Sequence, residues 1–244
     1  MYLRSVCVIT LLVMAAPALA AEEEEDKSPW AGKALLGYLS TSGNTNNSNL
    51  NAAFEISYTR DVWMHMFRAS AISASATDAT GEEATTAEAY VAGWKSERQL
   101  SEHDYLFGHL DWRKDRFSGY DTQFSQTLGY GRRLIDKEKH KLNAEIGVGA
   151  RQSDLSDGTE ESETVFHGGL DYTWKLSETA AFAQILSVES GSANTYSESV
   201  TKLSAALVGN LALVASYTIK SNSDVPPFTE KTDKFTAVSL EYTF

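Results

Sequence analysis

Cysteine is all but missing from this 244-residue chain: the one thiol is Cys7. It sits too early, and before the wrong residues, for a lipoprotein cysteine. The chain beyond residue 20 therefore has no thiol, no disulfide and no Cys-ligated metal. Proline is scarce, with four residues, and helical stripes of useful length are missing. No apolar run after Ala20 approaches the roughly 18 residues that a membrane helix requires. Such a chain crosses a bilayer only as a closed barrel. Basic charge is also short, with 21 Lys and Arg against 33 Asp and Glu, a net −12. That balance repels phosphate and excludes a nucleic-acid partner.

The N-terminus reads as a processing segment. Arg4 gives a positive start, residues 6–14 form a short apolar run, and Ala18-Leu19-Ala20 has the small-residue pattern that signal peptidase reads. Cleavage is expected after Ala20, so the chain is expected to be exported in a Gram-negative envelope. Residues 21–29, with the run Glu-Glu-Glu-Glu-Asp at 22–26, are expected to be an acidic disordered tail. Residues 30–244 are then a single domain.

Within that domain, segments of about ten to thirteen residues alternate apolar with polar, which puts one set of side chains on each face of a strand. The last segment is the cleanest. Val238, Leu240, Tyr242 and Phe244 share one face, and Ala237, Ser239, Glu241 and Thr243 the other. The same holds for Leu211, Leu213, Ala215, Tyr217 and Ile219 against Ser216, Thr218 and Lys220. Twelve segments follow, near 31–42, 48–60, 62–75, 86–98, 105–117, 121–135, 140–153, 163–176, 180–190, 195–208, 211–221 and 232–244. In 62–75 Trp63/Phe67 and Met64/Met66 compete for the apolar face, and 180–190 is similarly open.

Tight polar connections (60–61, 136–139, 177–179, 209–210 and the slightly longer 98–104) alternate with longer ones at 41–47, 76–85, 154–162 and 221–231. An even strand count with short turns at one end and longer loops at the other is the habit of outer-membrane barrels. Aromatics gather at segment ends: Tyr58, Trp63, Tyr105, Trp112, Tyr130, Tyr172, Trp174, Tyr242 and Phe244. Tyr and Trp rings settle at the headgroup level, so these read as interfacial girdles. The expected fold is all-β: a closed antiparallel transmembrane β-barrel of about 12 strands, with short periplasmic turns, longer extracellular loops and both termini periplasmic.

Charges fall on the face opposite the apolar one. The expected lumen-lining residues are His109, Asp111, Arg113, Asp115, Glu145, Arg151, His167 and Asp171. His109-x-Asp111-x-Arg113-x-Asp115 is the densest polar ladder. It suits either a charge-sorting constriction or an interior salt-bridge network that fills the lumen. A twelve-strand barrel has a backbone radius of roughly 12 Å, so a narrow or plugged bore is expected. Gly147 and Gly149 are expected to leave inward gaps.

The stretch 154–163 carries five acids and, with Asp78, Glu82 and Glu83, makes an acidic extracellular rim. Weak capture of divalent cations, or their bridging to lipopolysaccharide, is one expectation there. Catalysis would need a Ser nucleophile beside a His base. Among His65, His103, His109, His140 and His167, only His65 could face lipid, and no Ser lies two residues from it on the same face. No catalytic residue, cofactor or metal centre is expected.

"ALLGYLSTSGNTNNSNLN" at 34–51, "YLFGHLDWRKDRF" at 105–117, "LGYGRRL" at 128–134 and the closing "FTAVSLEYTF" resemble the DUF481 family, which includes YdiY-like, salt-induced outer-membrane proteins. The resemblance runs from about Trp30 to Phe244. It implies an outer-membrane barrel without established chemistry and carries over no catalytic residue. Tyr242 and Phe244 also resemble the signal by which barrel-assembly machinery recognises a last strand. The leading functional expectation is a non-enzymatic barrel, structural or a narrow passive channel for small polar solutes or cations. The alternatives are a surface interaction protein acting through acidic loops, and a lipid-modifying barrel enzyme.

Overall fold

The computed structural model describes residues 28–41, 46–77, 83–115, 118–227 and 229–244. The expected signal peptide and the acidic run at 22–26 lie outside the described residues.

Twelve strands account for nearly all of them: β1 Trp30–Thr41, β2 Asn46–Arg60, β3 Trp63–Thr77, β4 Glu83–Gln99, β5 Asp104–Asp115, β6 Tyr120–Asp136, β7 His140–Leu155, β8 Glu160–Lys175, β9 Ala180–Ser190, β10 Thr195–Val208, β11 Leu211–Asn222 and β12 Thr232–Thr243. Each pairs antiparallel with the next, and β12 pairs with β1, closing the barrel. Closure gives every strand two neighbours, as backbone at bilayer depth requires. Because the strand number is even, both chain ends lie at one rim, here the terminal end. The opposite rim is the loop end. Turns at the terminal end are two to four residues long. The two-residue turns use Asp61 and Gly209 at positive φ, 54° and 55°, which such tight reversals demand.

The outer surface is apolar. Leu128, Ile146, Phe166 and Val238 each expose more than half of their area, within a continuous band of similar residues. A protein in water does not leave such an area uncovered, whereas a bilayer covers it. The pairing Glu55↔Arg68 sends Arg68 inward. Trp63, His65 and Phe67 therefore face outward, while Met64 and Met66 face inward. In β9, Leu186 and Val188 face outward and Glu189 inward. Rings cluster at the terminal end: Trp30 lies on Tyr58 at 4.7 Å, and Phe244 stacks on Tyr242 and Phe54, each at 6.3 Å. Tyr105 does not belong to this girdle. It is 2 % exposed and faces the lumen, where its hydroxyl donates to Glu145 Oε1 at 2.6 Å.

The loops differ from expectation. Strands β7 and β8 continue through most of 154–163, leaving a turn of only 156–159. Strands β2, β3 and β4 similarly extend into 41–47 and 76–85. Beyond the bilayer both faces of a strand meet water, so the polar contrast that marks a strand in sequence fades there. The one long described connection is 223–231.

Candidate functional site

The inward faces of β4–β10 carry a dense charged layer. Asp111 and Arg113 lie two apart on β5, so they share the inward face. Asp111, 1 % exposed, accepts from Arg113 Nε and from Arg68 Nη2 of β3, both at 2.6 Å, and His109 Nε2 lies 3.5 Å away. Arg113 reaches across to Glu189 of β9 at 2.6 Å and covers the Tyr196 ring at 4.3 Å. Glu189 also accepts from Ser125 at 3.1 Å and faces Arg151 Nη1 at 3.6 Å. Arg151 is fully buried. It binds Glu163 at 2.6 Å and donates to the Asn194 carbonyl, and Asn194 in turn donates to Asn222 at 2.7 Å. Opposite charges in contact are what make such burial tolerable.

A second cluster lies nearer the terminal end. Lys95 binds Glu145, and Glu97 at 2.9 Å, while His167 Nε2 stands 3.9 Å from Glu145. Thus His109, Asp111, Arg113 and Arg151 belong to one network, and Glu145 and His167 to another. Asp171 faces the lumen near the Lys95–Glu145 cluster, beyond ion-pair distance of it. Asp115 lies at the loop end, 3.9 Å from Lys220 of β11. Arg68, Lys95, Glu163, Glu189, Asn194 and Lys220 complete these networks, although sequence reasoning did not single them out as site residues. Taking Trp63/Phe67 as the outward pair would have exposed Arg68 as an inward cation.

Gly147 and Gly149 leave no gaps. A Cβ on Gly147 would lie 2.7 Å from the Leu128 carbonyl and 3.0 Å from Thr127 Cγ2. These glycines let β6 and β7 approach closely, and Thr127 fills the space.

Filling is one-sided. Strands β5 and β11 stand six apart in either direction around the barrel, so the Lys220–Asp115 pair divides the lumen at its level. On the β6–β10 side lie the Arg113, Arg151 and Glu189 groups. On the other side, among described residues, no inward side chain of β2 or β3 is buried. Asn51, Ala53, Ser70 and Ala74 are small on that wall, Met64, Met66 and Ile72 share it, and the Arg68 side chain is 47 % exposed into it. At the terminal mouth a cavity of about 390 Å³ opens, bordered by Lys139, Lys141, Thr173, Lys175, Ser204, Ala206 and Glu241.

A strap crosses part of the loop end. Residues 223–231 reach across to the turn after β5: the Tyr120 hydroxyl donates to the Asp224 carbonyl at 3.0 Å, and Pro226 packs on Gly119, where a Cβ would lie 2.6 Å from Pro226 Cδ. Asp224 N donates to Asn194 Oδ1 at 3.2 Å, tying the strap to the charged layer.

Three of the rim acids are engaged by the barrel itself. Glu163 holds Arg151, and Asp154 accepts from Thr122 Oγ1 at 2.5 Å. Asp157, in the turn, accepts from the Thr159 hydroxyl and N–H, which hold its carboxyl below the usual range. Asp78 and Glu82 lie outside the described residues. Among the described residues no group of three or more acids or histidines is placed to hold a metal ion.

His65 faces outward between Trp63 and Trp94, with Nδ1 2.8 Å from Ser96 Oγ of the adjacent strand. The described contacts of this pair include no carboxylate to orient the ring.

The last strand ends in a tight closure. Phe244 and Gly32 exchange backbone hydrogen bonds at 2.8 and 2.9 Å. The Phe244 ring lies over Gly32, where a Cβ would fall 2.5 Å from Cζ.

Twelve antiparallel strands, an apolar exterior and a charged interior define an outer-membrane type of β-barrel. Solved structures agree. The translocator domain of the autotransporter NalP from Neisseria meningitidis superposes with a TM-score of 0.50 at 11 % identity, covering 89 % of both chains. An outer membrane channel from Pseudomonas putida F1 gives 0.50 at 9 % identity, covering 93 % of this chain and 99 % of that one. At these identities the likeness concerns the fold alone. The chain belongs to the DUF481 family, described as proteins of unknown function, whose model matches residues 34–244. It is 32 % identical over 217 residues to the uncharacterized protein YdiY of Escherichia coli (strain K12), covering 88 % of this chain and 84 % of that protein.

Proposed function

We propose that this protein is a narrow, non-enzymatic channel for small polar solutes and ions, with its path along the inner faces of β12, β1, β2 and β3. The observation that carries the reading is the uneven lumen: among described residues no inward side chain of β2 or β3 is buried, while β5 and β6 are packed shut. Loop lengths orient the terminal end toward the periplasm. The open vestibule then faces inward and the strap outward. Both signs line the path, with Lys33 and Arg68 beside Glu55 and Glu241, so it suits small polar solutes and ions that such mixed walls can solvate. The Ser96–His65 pair lacks the orienting group that a hydrolytic triad uses, so the enzyme reading has less support.

Single-channel recording of the purified protein in planar bilayers tests this. The expected result is small, stable conductance that falls by at least half in Ala53→Trp, which fills the path. Silence in repeated insertions, or conductance indifferent to Ala53→Trp, rejects the channel.

A further inference from the structure

Three inward charges on the arc from β8 to β12 stand without partners. Asp171 of β8, Lys202 of β10 and Glu241 of β12 each follow or precede an exposed outward leucine, Leu170, Leu203 and Leu240, so each faces the lumen. Among described residues none of the three makes an ion pair or a side-chain hydrogen bond. Other inward charges of the terminal half do pair: Lys33 holds Glu55 at 3.1 Å, and Lys95 holds Glu97 at 2.9 Å. The charged neighbours of Lys202 are Lys33, Glu55, Glu241 and Asp171, and those of Asp171 are Lys95, Glu145, Lys33 and Lys202. The unpartnered groups therefore share one section of the bore.

Strand register keeps Asp171 and Lys202 apart. Asp171 pairs with Ile185 of β9, and Lys202 with Ala183, one inward step nearer the terminal end. Two strand spacings and that step put their backbones roughly 12 Å apart. Toward the terminal end the next inward residues on the three strands are Thr173, Ala181 and Ser204. These border the cavity of about 390 Å³ at the terminal mouth, together with Glu241. Asp171 and Lys202 thus stand one inward step beyond the cavity, and Glu241 stands in its wall. A charge set in a narrow bore without a partner keeps its desolvation cost uncompensated. Two of opposite sign, held apart, are both compensated by one molecule that carries both signs.

We propose that the terminal end of the lumen binds a small zwitterion bearing an ammonium and a carboxylate. The carboxylate meets Lys202, and the ammonium meets Asp171 and Glu241. A simple anion would gain Lys202 but face both acids, and a simple cation would face Lys202, so neither matches the site. The proposal rests on the wet lumen of the channel reading and gives it a solute class, but occupancy is measured without ion flow. Silent bilayers would remove conduction and leave the site standing. Conductance without zwitterion binding would do the reverse.

The test is equilibrium dialysis of labelled 4-aminobutyrate against the barrel in phosphatidylcholine nanodiscs, with empty nanodiscs as background. Binding should saturate. Unlabelled 4-aminobutyrate should compete about tenfold better than butyrate or butylammonium, the equivalent of one charge-assisted contact. Asp171→Asn and Lys202→Met should each weaken binding by about the same factor. Exchanging the charges in Asp171→Lys/Lys202→Asp should restore most of it, because the ligand can turn round. Heat-modifiable mobility on gels establishes that each variant is assembled, and Lys202→Gln serves if Lys202→Met is not. Absence of saturable binding overturns the site, as does equal competition by butyrate or by butylammonium, which would mark a simple ion site. Single variants that bind as the parent does, or an assembled exchange variant that stays weak, also overturn it.

Discussion

Arg151 shows how inward residues here depend on one another. It is fully buried and serves Glu163, Glu189 and the Asn194 carbonyl at once. Removing one member of such a group leaves the others charged and dry, which costs about 3–5 kcal/mol. Arg151→Ala should lower stability by that order, read from urea unfolding in lipid vesicles followed by Trp fluorescence. An unchanged transition would mean that Glu163 and Glu189 are solvated. At this scale the sequence was partly legible. Alternation in β5 and β7 put His109, Asp111, Arg113, Glu145 and Arg151 on one face. The partners Glu189 and Arg68 sit in the two segments where apolar residues on both faces blurred the register. Nor does alternation reveal which inward charges touch: Arg113 and Glu189 are 76 residues apart.

Among elements, the hairpins project past the bilayer and the strap at the β11–β12 connection folds over the loop end. Hairpin existence followed from alternation, but hairpin height did not. Residues such as Glu160 and Ser162 belong to strands whose faces are both polar, so they read as loop. The strap was visible as a long connection, while its docking on Gly119 was not. Gly119 adopts φ +83° against Pro226, a conformation that a β-branched residue resists. Gly119→Val should release the strap. Conductance should rise while the barrel remains folded, and recordings of the variant beside the parent would show it. Equal conductance would mean that the strap does not lie over the path.

Among the described residues the molecule is held by a hydrogen-bonded cylinder that closes through every pair of neighbouring strands, most briefly between β1 and β12. Such cylinders resist detergent until heated. The unboiled protein should therefore migrate faster than the boiled protein on gels, and co-migration would contradict a closed barrel in solution. Replacing Phe244 by Ala should lower the temperature of that shift, because its ring covers Gly32 and stacks on Phe54 and Tyr242.

Taken alone, the sequence determined the class of fold, the number of strands and the outward face of most of them. All three are written in a period of two, which local backbone geometry enforces. Only the tertiary structure decided which inward groups meet. Contacts across a lumen depend on how far each strand is staggered when the sheet closes. That stagger joins Lys220 to Asp115 from opposite walls, fills one side of the bore and leaves the other wet. It also leaves the ladder between first and last strands incomplete. Alternation in β1 and β12 fixes which face each side chain takes, but not how far the two strands pair.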